Sequence, residues 1–170
     1  IHGVEMTQFN ITERNILGLT VVSITLLVYV FYSQLFEGLE PCKLCIWQRV
    51  PHAIVVMIGL LILFSKKYQI FGCYVATILM LIGFLTGSYH FGIELKLWSG
   101  PENCSSIQNI DTLSPEEFLQ KILETPITTC DQIVWSLIGI SMAGWNGIIS
   151  FLLMILWGYN TLRLKRINKT

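Results

Sequence analysis

The sequence predicts an all-α fold, an integral membrane four-helix bundle with a short amphipathic helix in its second outer loop. Three observations predict it. Four apolar stretches are each long enough to cross the roughly 30 Å hydrocarbon core of a bilayer. Only 13% of the 170 residues are charged, about half the share of an ordinary soluble domain. Short turns join the first three stretches, which favours antiparallel neighbours in a bundle. Net charge is zero, so nucleic acid is not a natural partner.

The chain reads as one four-span domain over residues 1–170. Residues 1–15 are polar and mixed, and Met6 is a candidate initiator. The first span covers about 16–36, an uncharged run. It is too long for a signal peptide and lacks a small-x-small cleavage site. An acidic outer turn follows at about 37–45. The second span covers about 46–64, with Arg49, Pro51 and His52 near its start. Pro51 removes a helical hydrogen bond and should loosen the first turns. A basic turn, Ser65-Lys66-Lys67-Tyr68-Gln69, leads into the third span at about 70–89. Cys73 there reads as a small buried hydrophobe. Gly83 and Gly87 form a Gly-x-x-x-Gly pair that lets another helix approach closely.

The long polar loop at about 90–133 carries Cys104 and Cys130. Within it, Ser114-Pro115-Glu116-Glu117 has an N-cap, a proline at the first helical position and a capping-box Glu. Phe118, Leu119, Ile122 and Leu123 then fall on one face. That helix is too short to span; it lies along the membrane surface or packs on the ends of the bundle. The fourth span is expected at about 134–157. Gly139, Ala143 and Gly147 form a small-residue seam, and Asn146 should hydrogen-bond to a neighbouring helix.

The chemistry concentrates at Pro41-Cys42-Lys43-Leu44-Cys45-Ile46-Trp47-Gln48-Arg49. In a helix, Cys42 and Cys45 share a face with Cβ atoms about 5–6 Å apart, near the range a disulfide needs. Arg49 is one turn beyond Cys45, where its guanidinium can sit over that sulfur. A cation and a helix N-terminus both favour thiolate, and Pro41 suits the first helical turn. The pair therefore reads as a redox dithiol at a membrane surface, with Cys45 the activated sulfur. Zinc binding and plain packing remain as alternatives. A cation near a membrane helix is a functional hypothesis by default; for Arg49 the alternative is snorkelling to the headgroups.

Charge fixes the orientation. The N-terminal tail, the 65–69 turn and the C-terminal tail hold Arg14, Lys66, Lys67, Arg163, Lys165, Arg166 and Lys169. The other side holds Lys43, Arg49, Lys96 and Lys121, together with every carboxylate except Glu5 and Glu13. The positive-inside rule then places both termini in the cytoplasm. Cys42, Cys45, Cys104 and Cys130 share the outer compartment, which in bacteria is oxidising. Four cysteines allow three pairings.

These features together resemble the DsbB family of inner-membrane disulfide-forming oxidoreductases. The resemblance rests on Pro41-Cys42-x-x-Cys45-x-x-x-Arg49 after a first span, four spans in all, and Cys104 and Cys130 in the second outer loop. It extends to Tyr89-His90-Phe91-Gly92-Ile93-Glu94, to Trp98-Ser99-Gly100-Pro101 before Cys104, and to the run from Trp135 to Asn146. It implies a relay. A periplasmic thioredoxin-fold dithiol oxidase, DsbA-like, would attack a Cys104–Cys130 disulfide and form a mixed disulfide with Cys104. Cys130 would then attack Cys42, and Cys45 would donate to a membrane quinone (ubiquinone or menaquinone) beside Arg49.

The residues support such chemistry in their own right. Quinone reduction needs a nucleophilic sulfur and a cation for the charge that develops on a carbonyl oxygen. Cys45 and Arg49 supply both. His90, where the third span leaves the membrane, could donate to the second quinone oxygen or assist proton uptake; the alternative is an interfacial histidine that only snorkels. Glu94, one turn on, could orient it. Trp47 and Gln48 are given no role beyond lining the site. No haem or flavin motif is present. Other readings are a tetraspan scaffold with a disulfide-stapled outer loop, and a zinc site, although the loop lacks paired Cys-x-x-Cys spacing. A disulfide-reducing protein of the vitamin K epoxide reductase type would place its loop pair before the Cys-x-x-Cys.

Overall fold

The computed structural model describes residues 2–101, 104, 114, 116 and 129–169, with the backbone alone for 2–10. Four long helices dominate it: α1 (His2–Phe36), α2 (Lys43–Phe64), α3 (Gln69–Glu94) and α4 (Met142–Ile167). A single 3₁₀ turn at Lys66–Tyr68 joins α2 to α3. The segments Ile11–Phe36, Lys43–Phe64, Lys66–Glu94 and Met142–Ile167 are each long and apolar enough to cross a membrane. Their outer faces are apolar to a degree no aqueous surface tolerates: Phe64 is 88% exposed and Leu35 75%. A bilayer covers such faces.

The interior is layered. Ile16, Val55, Met80, Leu153 and Trp157 form the apolar centre, and Cys73 is fully buried among them, as its apolar context predicts. Because lipid is as apolar as leucine, close approach of backbones and not hydrophobicity holds such helices together. A Cβ on Gly87 would lie 2.8 Å from the backbone of Gly147, and one on Gly83 would lie 3.0 Å from Ser150 Oγ. Both expected glycine seams therefore meet at the α3–α4 contact. Lys66 pairs with Glu13 at 2.7 Å, which puts the basic turn and the N-terminal part of α1 at one end of the bundle.

Three boundaries differ from expectation, and each has a local cause. Val134 to Ser141 is not helical. Ser136–Leu137 (β1) and Ile140–Ser141 (β2) pair antiparallel, Ser136 with Ser141 and Leu137 with Ile140. The turn between them needs two left-handed residues, Ile138 at φ 56° and Gly139 at φ 76°, the geometry of a two-residue hairpin. Gly139 thus serves the turn and not the small-residue seam. Ser141 then caps α4, its Oγ accepting from Gly144 N at 3.2 Å, and the helix runs on to Ile167.

At the other end of the pattern, α2 starts at Lys43 with Cys42 as its N-cap. Pro41 therefore stands before the cap and not in the first turn. Pro51 lies inside an uninterrupted α2. Helix α3 continues to Glu94, so His90 lies within it. The amphipathic helix expected after Ser114 falls outside the described residues.

Gly87→Val should cost about 1–3 kcal/mol, because the new methyls have only the Gly147 backbone to push against. Thermal unfolding in detergent, compared with Ala at an exposed position such as Ile78, checks this; an unchanged midpoint would refute the seam.

Candidate functional site

The outer end of the bundle gathers the polar chemistry. Cys42 caps α2 with its own sulfur: Sγ accepts from Cys45 N at 3.2 Å. Serine, threonine or aspartate ordinarily fill this place, so a thiolate here also meets the positive end of the helix dipole. Cys45 Sγ lies 2.9 Å from Cys42 Sγ as a hydrogen-bonded, unbridged pair. His90 Nε2 stands 3.6 Å from Cys42 Sγ on the far side. Cys42 is 5% exposed and His90 2%.

The loop pair is bridged. Cys104 and Cys130 form a disulfide with Cα atoms 5.1 Å apart, and Cys130 N donates to Cys104 O at 2.6 Å. Both cysteines are buried and pack against Cys42 and Ile93. The Cys42 sulfur, the Cys130 sulfur and a His90 ring nitrogen all lie within 4.8 Å of one another. Zinc would want a set of this kind, but Cys130 spends its sulfur on Cys104 and offers no thiolate.

Around this centre, a chain of hydrogen bonds fixes the imidazole. Gln48 Nε2 is 2.9 Å from His90 Nδ1, so Gln48 does more than line the site. Glu94 Oε1 is 4.0 Å from His90 Nε2, the pairing its spacing suggests. Glu94 Oε2 accepts a short bond from Ser141 Oγ. One serine thus caps α4 and holds the carboxylate of α3.

Arg49 departs from expectation. It shares a face of α2 with Cys45, but its Nη1 donates to Gln34 Oε1 at 2.7 Å and its guanidinium lies 5.2 Å above the Phe31 ring. The contacts that stabilise an anion fall on Cys42, whereas the sequence suggested Cys45. The Cys42 thiol is pulled from its usual 9.0 down to about 4, foremost by the hydrogen bond from the Cys45 side chain and further by His90, against burial pushing it up.

Between α1, α2 and α4 lies a cavity of about 440 Å³ with walls such as Leu26, Val30, Met142 and Ile149. Cys45, Arg49 and His90 all border it. Deeper in, His52 joins three helices: Nδ1 is 3.4 Å from Ser23 Oγ, and Nε2 is 3.1 Å from Asn146 Oδ1 and 3.3 Å from Ser150 Oγ. This is the cross-helix bond expected of Asn146. The one signal His52 gives in the sequence is its place seven positions after Cys45, on the same helical face.

Two pairs of cysteines in contact at one end of a four-span membrane bundle define a membrane thiol–disulfide oxidoreductase. The chain belongs to the DsbB family: the family model described as "Disulfide bond formation protein DsbB" matches residues 13–160. It is 32% identical to "Disulfide bond formation protein B" of Xylella fastidiosa over 71% of this chain and 73% of that protein. The protein of the same name from Xanthomonas euvesicatoria is 30% identical over 78% and 79%. An uncharacterized protein of Rickettsia prowazekii is 27% identical over 84% and 83%. Membership makes this a disulfide-forming, multi-pass membrane protein.

The Cys42 environment sets a titration. In the reduced protein, ultraviolet thiolate absorbance attributable to Cys42 should appear with a midpoint near pH 4. In Cys45→Ala the main donor is gone, and the midpoint should climb back towards the usual value of 9.0. A wild-type midpoint already at the ordinary value would refute the assignment of the hydrogen bonds.

Proposed function

We propose that this protein reoxidises a periplasmic thioredoxin-fold dithiol oxidase of the DsbA type and passes the electrons to a membrane quinone, ubiquinone or menaquinone. The observation that carries the proposal is the approach of Cys130 and Cys42 within 4.8 Å, with His90 beside both. It supplies the contact through which two cysteine pairs can exchange. The basic end of the bundle, with Lys66, Lys67, Arg163, Lys165 and Arg166, favours an inner-membrane placement with both termini cytoplasmic. The cysteine end then faces the periplasm.

The exchange balances as follows. A thiolate of the partner attacks Cys104, the Cys104–Cys130 bond breaks, and Cys130 leaves as thiolate. The second thiol of the partner displaces Cys104, and the partner departs with its own disulfide. Cys130 attacks Cys42 of an oxidised Cys42–Cys45 pair and frees Cys45. Cys104 then displaces Cys42, which restores the loop disulfide and leaves Cys42 and Cys45 reduced. That is the state seen here. Its low pKa makes Cys42 a good leaving group in this step.

The acceptor has a fitting place. The cavity is apolar-walled, borders Cys45 and Arg49, and lies among helices long and apolar enough to span a membrane. A quinone bound there supplies a two-electron, two-proton sink. The chain contributes the rest. Cys45 presents its sulfur at the cavity edge. Arg49, steered by Gln34 and Phe31, offers a cation for charge on a carbonyl oxygen. His90, held by Gln48 and Glu94, can take up and return the proton of Cys42.

Quinone reduction by purified protein, with a reduced DsbA-like partner as donor and followed by absorbance, tests the proposal. Cys45→Ser should abolish turnover while the Cys104–Cys130 disulfide still forms; undiminished turnover would sink the assignment. Arg49→Ala should raise the apparent KM for quinone about tenfold or more, the scale of one charged hydrogen bond, with little change in KM for the partner. A change confined to the partner's kinetics would make Arg49 an interfacial residue.

A further inference from the structure

Asn146 has one half of its amide fixed and the other half free. His52 is clamped from two sides. With the Ser23 hydroxyl donating to Nδ1, the proton sits on Nε2 and is donated to Asn146 Oδ1. As placed, the amide turns Oδ1 to His52 and leaves Nδ2 facing away from it; turning it over would require the other imidazole tautomer. Its Nδ2 is buried and has no hydrogen-bond partner among the described residues. A buried donor left unpaired costs about 1–3 kcal/mol, so an orphan held in place by a buried histidine calls for an acceptor. Asn146 and His52 both line the cavity that Cys45 and Arg49 border. The buried hydroxyls of Ser33 and Thr129 also line it, without partners among the described residues, but a hydroxyl turns freely about its own bond to find an acceptor, whereas the Asn146 amide is already engaged through its oxygen.

The spacing orders the donors. Cys45, Arg49 and His52 fall at i, i+4 and i+7 on one face of α2. Arg49 and His52 are three residues apart, about 4.5 Å of helical rise. Arg49 is thus the donor nearer Cys45 on this wall, and Asn146, bonded to His52 one turn further along α2, is the next donor that the cavity offers.

We infer that Asn146 Nδ2 is the hydrogen-bond donor to the quinone carbonyl farther from Cys45, with His52 as the positioning residue that aims it. The inference rests on the quinone reading above and deepens it. The cavity then reads its ligand at two points, a cation at one carbonyl and a neutral amide at the other. Ligands with a single carbonyl lose the second point. Leucine at 146 keeps the volume and removes the donor. Phenylalanine at 52 fills the space of the imidazole and leaves the amide free to turn.

Trp135 and Trp145 line the same cavity, so binding is readable without turnover. The experiment titrates ubiquinone with a one-isoprene tail into the full-length protein in lipid nanodiscs and follows tryptophan fluorescence. Asn146→Leu and His52→Phe should each raise Kd about three- to tenfold, the scale of one neutral hydrogen bond. Single-turnover exchange between the reduced partner and the Cys104–Cys130 disulfide should stay unchanged, which a general structural defect would not allow. Equal Kd values in wild type and Asn146→Leu would overturn the inference and leave the quinone reading intact. Absence of quenching in wild type would overturn both. Should Asn146→Leu fail to fold, infrared spectra of the unmutated protein decide, with the ubiquinone carbon-13-labelled at one carbonyl or the other. Both carbonyl bands lowered relative to detergent solution would support the inference, and only one lowered would overturn it.

Discussion

The sulfur of Cys42 organises this site because it does two jobs at once. It closes the N-terminus of α2 by accepting from Cys45 N, and it stands between the Cys45 thiol and the His90 ring. A helix end needs an acceptor, and a thiolate is a better one than a thiol. The cap therefore stabilises the charged form that thiol–disulfide exchange uses. Everything packed around Cys42 follows from keeping that anion buried and compensated. Gln48 and Glu94 hold the imidazole, Ser141 holds Glu94, and the loop disulfide covers the remaining side.

The bundle makes this arrangement possible through uneven packing. Helices α3 and α4 meet backbone to backbone at Gly87 and Gly147, and α1 approaches α2 at Gly59, where a Cβ would overlap Thr20. Where α1 faces α4 near the cysteine end, larger side chains such as Tyr29, Trp135 and Trp145 stand around an open cavity instead. Tight seams on two sides leave room on the third. The hairpin before α4 belongs to the same design: Trp145 Nε1 donates to Leu137 O at 3.1 Å, tying the hairpin to the mouth of the cavity.

Much of this was legible in the sequence. The four spans follow from hydropathy, since bilayer thickness fixes helix length. Gly83, Gly87 and Gly147 were readable as close-contact positions, Cys73 as core and Asn146 as a cross-helix donor or acceptor. The i+4 relation of His90 and Glu94 survived into the structure. Elsewhere, local geometry overrode pattern. Hydropathy cannot distinguish a helical turn from a hairpin, so the apolar stretch Val134 to Ile140 reads as helix. Only the left-handed Ile138 and Gly139 separate the two. Register alone puts Arg49 over Cys45, but register gives no view of Gln34 and Phe31 on another helix. Gln48 and His52 carry no local signal for the same reason: their partners lie 42 and 94 residues away.

The central claim is that electrons cross from the loop pair to the helix pair through Cys130 and Cys42. The most direct measurement is disulfide mapping by mass spectrometry in a Cys45→Ser, Cys104→Ser double variant after mild oxidation. Each of the two cysteines has then lost its usual partner. The account predicts that Cys42 and Cys130 become linked to each other in nearly all molecules, because their sulfurs already lie within 4.8 Å. Cys42 and Cys130 remaining free, or pairing between molecules, would contradict it.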